Sequence, residues 1–98
     1  MAYTYILHSP SISKFYIGSY HGDLSSRIEA HNGGKYGAKA YTSVAGDWTL
    51  LLKFECGEYA HAIRLERKIK SIKSEKYVEN LITYPKLRQK IFNATRGT

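Results

Sequence analysis

The chain has one cysteine, two prolines, eight acidic residues against fifteen Lys and Arg, and no long apolar run. Each shortage excludes something. With Cys56 alone there is no internal disulfide framework and no thiolate metal cluster, so a reducing, cytoplasmic setting is expected. No window approaches the eighteen or so apolar residues of a membrane span, and "MAYTYILHS" lacks a basic region followed by an apolar stretch, so neither membrane anchoring nor export is expected. Few carboxylates, four scattered histidines and no HExxH or CxxC spacing leave no obvious zinc site.

What is present is basic and aromatic. Ninety-eight residues carry a formal charge of +7 with a pI near 9.6, a surface that attracts polyanions. Aromatic residues make up 13% of the chain, nine of them Tyr, and such rings either fill a core or stack on exposed bases. A hydrophobic content of 43% is that of a globular domain rather than a disordered chain. At this length folding buries only about 60–65% of the unfolded surface, so the core must be small.

Two aromatic and β-branched runs, residues 3–8 "YTYILH" and 15–20 "FYIGSY", are joined by "SPSISK" and read as an antiparallel hairpin. Alternation groups Tyr3, Tyr5 and Leu7 on one face, and Tyr16, Gly18 and Tyr20 on one face of the second strand. Gly18 would let another element approach closely. A helix is expected from Leu24, capped by the Asp23 side chain, to Asn32-Gly33-Gly34. "GGKYGAKAYTSVAG" suggests a basic loop, and "DWTLLLKFEC" a well-buried third strand with Trp48, Leu50, Leu52 and Phe54 sharing a face. Helical spacing of Ala62, Leu65, Ile69 and Ile72 predicts a helix over roughly Glu58 to Lys73. Further helical segments are expected over Glu75 to Ile82 and after Pro85, ending in a fraying basic tail. Residues 1–83 are expected to form one domain, with 84–98 a helical segment and tail.

In the first helix, Leu24, Arg27, Ile28 and His31 occupy the i, i+3, i+4, i+7 stripe that should face the core. Arg27 must snorkel over apolar area, find a carboxylate, or face a wet cleft. His31 could equally be a residue suited to the helix C-terminus. Glu66 sits beside the apolar arc of the long helix, either as an ordinary i, i+4 partner of Lys70 or as a functional carboxylate. A Tyr-lined sheet face, an Arg, a His and a Glu are the components of a phosphodiester site, in which one carboxylate with water ligands suits Mg²⁺.

The segments "YTYIL", "FYIGSY", "LSSRIEAHN" and "AIRLERKIK" resemble, in order and spacing, the GIY-YIG nuclease family over about residues 3–82. Tyr16-Ile17-Gly18 matches the second half of the signature in full, while Tyr3-Thr4-Tyr5 keeps only the tyrosine of the first. The resemblance implies a small α/β domain, a three-stranded antiparallel sheet flanked by helices, that hydrolyses DNA with one divalent metal, Mg²⁺ or Mn²⁺. Family members serve as homing endonucleases, restriction enzymes and excision-repair nucleases, so fold does not set the role. By the same resemblance, Tyr5 and Tyr16 are the paired site tyrosines, one of them the general base towards the attacking water, Arg27 stabilises phosphate charge, and His31 assists proton transfer or positions water. Glu66 binds the metal, and Asn80 supports the site. Where some members carry a lysine this chain has Ser19, so the charge that would activate a tyrosine of ordinary pKa near 10 must come from elsewhere. His21 lies in a segment one residue longer than the commonest spacing and is either a site residue or an exposed turn residue.

Lys35, Tyr36, Lys39 and Tyr41 interleave charge and rings in the loop and either clamp nucleic acid, joined by Lys70 and Lys73 at the end of the long helix, or belong to an ordinary disordered, solvated loop. That mixture suits single-stranded or distorted DNA. DNA is the expected partner, with RNA and the oligomeric state left open. The competing reading is a catalytically silent nucleic-acid-binding module on the same scaffold.

Overall fold

The order of elements follows from where the aromatic runs end and the helical periods begin. A computed structural model describes residues 1–33 and 45–96. Strands β1 (Ala2–Ser9) and β2 (Lys14–His21) are followed by helix α1 (Leu24–Asn32), strand β3 (Thr49–Cys56), and helices α2 (Tyr59–Ile72), α3 (Glu75–Thr83) and α4 (Pro85–Ala94). The sheet order is β2-β1-β3, antiparallel throughout. β1 is therefore the buried central strand, and β2 is an edge.

Alternation along β1 sends its two sets of side chains to opposite faces, and each face builds its own core. On one, Ala2 and Ile6 meet Phe54, Cys56, Leu65, Ile69, Val78, Leu81 and Ile91, covered by α2 and by residues of α3 and α4. Thr4 on this face donates from Oγ1 to the Ala62 carbonyl at 2.7 Å, so the buried hydroxyl is satisfied while locking α2 to the sheet. On the other face Tyr5, Leu7, Leu24 and Trp48 form a smaller cluster, packed with Tyr3, Tyr16, Tyr20 and Ile28 beneath α1.

Several local expectations need correction. Trp48 and Phe54 do not share a face. Leu7 pairs with Leu50 while the adjacent Ile6 pairs with Leu52, so Leu51 is an extra residue that flips the strand's alternation. β3 is also less buried than expected: Leu50 and Leu51 are 38% and 42% exposed. The Asp23 carboxylate does not cap α1, because it accepts from the Ser26 hydroxyl at 2.7 Å instead. Gly33 ends that helix in a right-handed conformation with φ of −82°, its N–H bonded to the Glu29 carbonyl. The helix expected after Pro85 runs to Ala94, so the basic stretch from Arg88 to Ala94 is part of that helix and not a frayed tail. Ile91 anchors it in the core, Arg88 donates to the Leu81 and Ile82 carbonyls, and Arg64 of α2 donates to the Thr95 and Arg96 carbonyls.

Candidate active site

The site begins with a glycine. Tyr5 and Gly18 are directly paired across β1 and β2. A Cβ on Gly18 would lie 2.6 Å from Tyr5 Oη and 2.9 Å from Tyr16 Cε2. Only a bare Cα lets the Tyr5 ring lie across the neighbouring strand beside Tyr16, and the two ring centres are 6.2 Å apart. The element that approaches Gly18 is thus a ring of the same sheet.

Helix α1 delivers Arg27 and His31 to that ring pair, because four residues make about one turn and place both over the same strands. Tyr5 Oη lies 2.9 Å from His31 Nε2 and accepts from Arg27 Nε at 3.3 Å. Tyr5 is fully buried and His31 is 3% exposed, whereas Tyr16 and Arg27 are partly exposed. The His31 ring centre is 5.0 Å from that of Tyr16, and the Arg27 guanidinium lies over the Tyr20 ring at 4.9 Å. Burial first, and the Arg27 charge second, lower the His31 pKa from 6.5 to about 4. His31 is therefore neutral at pH 7, and a neutral imidazole can accept a hydrogen bond from the Tyr5 hydroxyl at Nε2.

The end of α1 is fixed by a contact that periodicity does not reveal. The Asn32 carboxamide donates to the Trp48 carbonyl at 2.9 Å and accepts from the Trp48 N–H at 2.7 Å. It stands in for a strand partner and ties α1 to the start of β3. Trp48 then meets Tyr16 edge-on, with ring centres 6.3 Å apart. At the same end of the sheet, the neighbouring Asp47 accepts from the Ser9 hydroxyl and the Ser11 N–H, bonds that hold its carboxyl below the usual range. They fasten the β1–β2 turn to the approach of β3.

Glu66 projects from α2 and so reaches the site round the outer edge of β2. Ser19, on the α2 side of that strand, donates to Glu66 Oε1 at 2.6 Å, and Lys70 Nζ donates to Oε2 at 2.6 Å. The i, i+4 ion pair expected of Glu66 exists, and Lys70 also lies 5.9 Å from the Tyr16 ring centre, between the carboxylate and the tyrosine pair. Ser19 occupies the motif position where a lysine would bring charge, and it orients the carboxylate instead. Lys70 brings an ammonium to the Tyr16 ring from a different element.

Among the described residues no group of three or more His, Cys, Asp or Glu could share a metal. A single carboxylate is nevertheless the donor set that a hydrated Mg²⁺ accepts, since that ion keeps several waters. Ser19 fixes one oxygen of Glu66, while the other is held by a lysine whose side chain is 49% exposed and free to swing away. The residues fit such an ion.

Asn80 lies on α3, beside the buried Val78 and Leu81, and its carboxamide makes no hydrogen bond among the described residues. His21 is exposed at the end of β2, its ring centre 6.2 Å from that of Tyr59. Lys35, Tyr36, Lys39 and Tyr41 lie outside the described residues. No helix among the described residues is long and apolar enough to cross a membrane.

A three-stranded antiparallel α/β domain with paired tyrosines, an arginine and a histidine on one face, and a glutamate at the sheet edge has the architecture of a nuclease-type domain. A family model described as the GIY-YIG catalytic domain matches residues 1–78, and the chain belongs to that family. The family is generally one of nucleases, typically using divalent metals and acting on nucleic acid. Neither the curated proteins nor the solved structures provide a match.

Proposed function

We propose that the protein is a metal-dependent endonuclease that hydrolyses DNA phosphodiester bonds, with residues 1–83 carrying the site. The observation that carries this reading is the meeting of Arg27 and His31 at one buried tyrosine oxygen. An apolar stripe would bind α1 to the sheet at far lower cost than a guanidinium and an imidazole. Their placement beside Tyr16, with Glu66 and Lys70 at its edge, supports a chemical role.

Arg27 supplies positive charge where a phosphate gains negative charge in the transition state. Tyr16, partly exposed, positions the attacking water, and Tyr5 with neutral His31 holds a proton acceptor behind it. Glu66 would hold the divalent ion, which when bound polarises the phosphoryl oxygens. Single-stranded or distorted DNA is the preferred substrate, because unpaired bases can reach the exposed rings.

One observation favours a second reading, a silent binding module: both Glu66 oxygens already have protein partners. The two readings separate in one experiment. Labelled single- and double-stranded DNA, with RNA in parallel, is incubated with Mg²⁺, Mn²⁺ or chelator beside a Glu66→Ala variant. Cleavage that requires metal and is lost in the variant is the expected result. No cleavage with either metal, while salt-sensitive binding persists, would establish the binding module instead.

A further inference from the structure

Beyond Tyr16, the outer edge of β2 opens into a groove that shares Tyr16 and Lys70 with the site described above and extends past it. Its first part is lined by Phe15, Tyr16, Ile17 and Lys70 and encloses about 360 Å³. A second part of about 310 Å³ shares Phe15, Ile17 and Lys70 and continues to Lys14 and Lys73. The two are one trough, beginning at Tyr16 and running between β2 and the C-terminal end of α2. Phe15 and Ile17 line both parts above the buried Ile69 and Val78, and no strand pairs with the outer edge of β2 among the described residues.

The rim is cationic. Lys14, Lys70 and Lys73 face a single lining carboxylate, Glu75, with Glu66 held just outside by Ser19 and Lys70. Lys73 is conformationally unusual. It ends α2 in the left-handed region, with φ of 52° and ψ of 43°, where glycine is the favoured residue. Helix termination alone would be better served by glycine, so the ammonium group is the property this position adds.

We propose that this groove is the subsite for the unpaired strand flanking the bond to be cut, with a nucleobase on Phe15 and Ile17 and neighbouring phosphates on Lys14 and Lys73. An apolar floor between cations suits a single strand, because a duplex keeps its bases stacked and its ring faces covered. The assignment deepens the nuclease reading and rests on it for the strand's direction away from Tyr16. An acidic peptide lying along the open strand edge is the other occupant that the charge would admit.

The test is fluorescence anisotropy with chelator present, so that probes stay intact, using a DNA duplex with a single-stranded tail, the same duplex blunt, and the tail made abasic. For the unmodified protein the tailed duplex binds more tightly than the blunt one, and the abasic tail loses at least about fivefold. A Lys14→Gln, Lys73→Gly double variant loses the advantage of the tail, and its slope of log affinity against log salt for the tailed probe falls by about 1.4. Its thermal midpoint does not drop, since glycine suits the backbone at position 73. Equal affinity for tailed and blunt probes, an equal loss on both in the variant, or displacement-insensitive binding of an acidic peptide in the groove would overturn the proposal. Cleavage with Mg²⁺ is scored separately. Tail discrimination without cleavage sinks the nuclease reading and keeps the subsite, whereas cleavage without tail discrimination does the reverse.

Discussion

The two faces of the sheet are built by the same three strands and could hardly differ more. Beneath α2, Ile6, Leu65, Ile69, Val78, Leu81 and Ile91 pack as an aliphatic core, and the polar Thr4 is satisfied by the Ala62 carbonyl. Beneath α1, a helix of 9 residues against the 14 of α2, the contacts are tyrosines, a tryptophan, a buried neutral histidine and a partly buried arginine. One face holds the domain together, and the other accepts desolvated polar groups that weaken it. A small domain can carry such a site only because its opposite face is an ordinary core.

The sharpest way to break the comparison is Leu65→Ala beneath α2. Truncating this fully buried residue should cost about 2–5 kcal/mol in denaturant unfolding, while the folded fraction retains its specific activity. Equal loss of activity per folded molecule would show that the faces are not separable. Next in size is the pH dependence of the α1 face. The folded His31 pKa lies near 4 and the unfolded value near 6.5, so the unfolded chain takes up a proton that the folded one refuses. Stability therefore falls as pH drops from about 6.5 towards 4, by up to about 3 kcal/mol. Burial lowers the His61 pKa as well, so a His31→Gln variant should flatten the slope without abolishing it. Slopes that coincide in thermal melts would remove the buried neutral His31 from the account.

Gly18→Ala addresses the joint between the tyrosines. Its methyl would displace the Tyr5 phenol from His31 and Arg27, and cleavage should fall about a hundredfold. Wild-type turnover in that variant would mean that the Tyr5 position does not matter. The smallest effect is expected for Ser19→Ala, which removes one donor from Glu66. The Mg²⁺ concentration for half-maximal cleavage should rise about tenfold. An unchanged requirement would detach Ser19 from the metal question.

Much of this division was legible in the sequence. Alternation in "YTYIL" and "FYIGSY" placed the tyrosines on one face, and helical spacing put Arg27 and His31 over them. The element bounds agree with expectation to within two residues, the largest difference being the start of β3. The flip in β3 was hidden because Leu50, Leu51 and Leu52 are all apolar, so the pattern carries no mark of an inserted residue. Ser19 read as a missing lysine, since its contact with Glu66 spans 47 positions and depends on how α2 crosses the edge strand. Asn32 has the same character, because its two bonds to Trp48 depend on where the chain returns to the sheet. Asn80 rests on the resemblance alone, since the turn at Lys73 sets how α3 leaves α2 and the spacing from Glu66 does not reveal it.

If the α1 face is organised for phosphodiester chemistry rather than for stability, as proposed, Arg27→Ala separates the two, with metal-dependent DNA cleavage and thermal midpoint measured on the same preparation. Cleavage about a thousandfold lower, with the midpoint within a few degrees of wild type, is the predicted result. A variant that unfolds, or one that cleaves as well as the parent, would return Arg27 to a structural role and contradict the account.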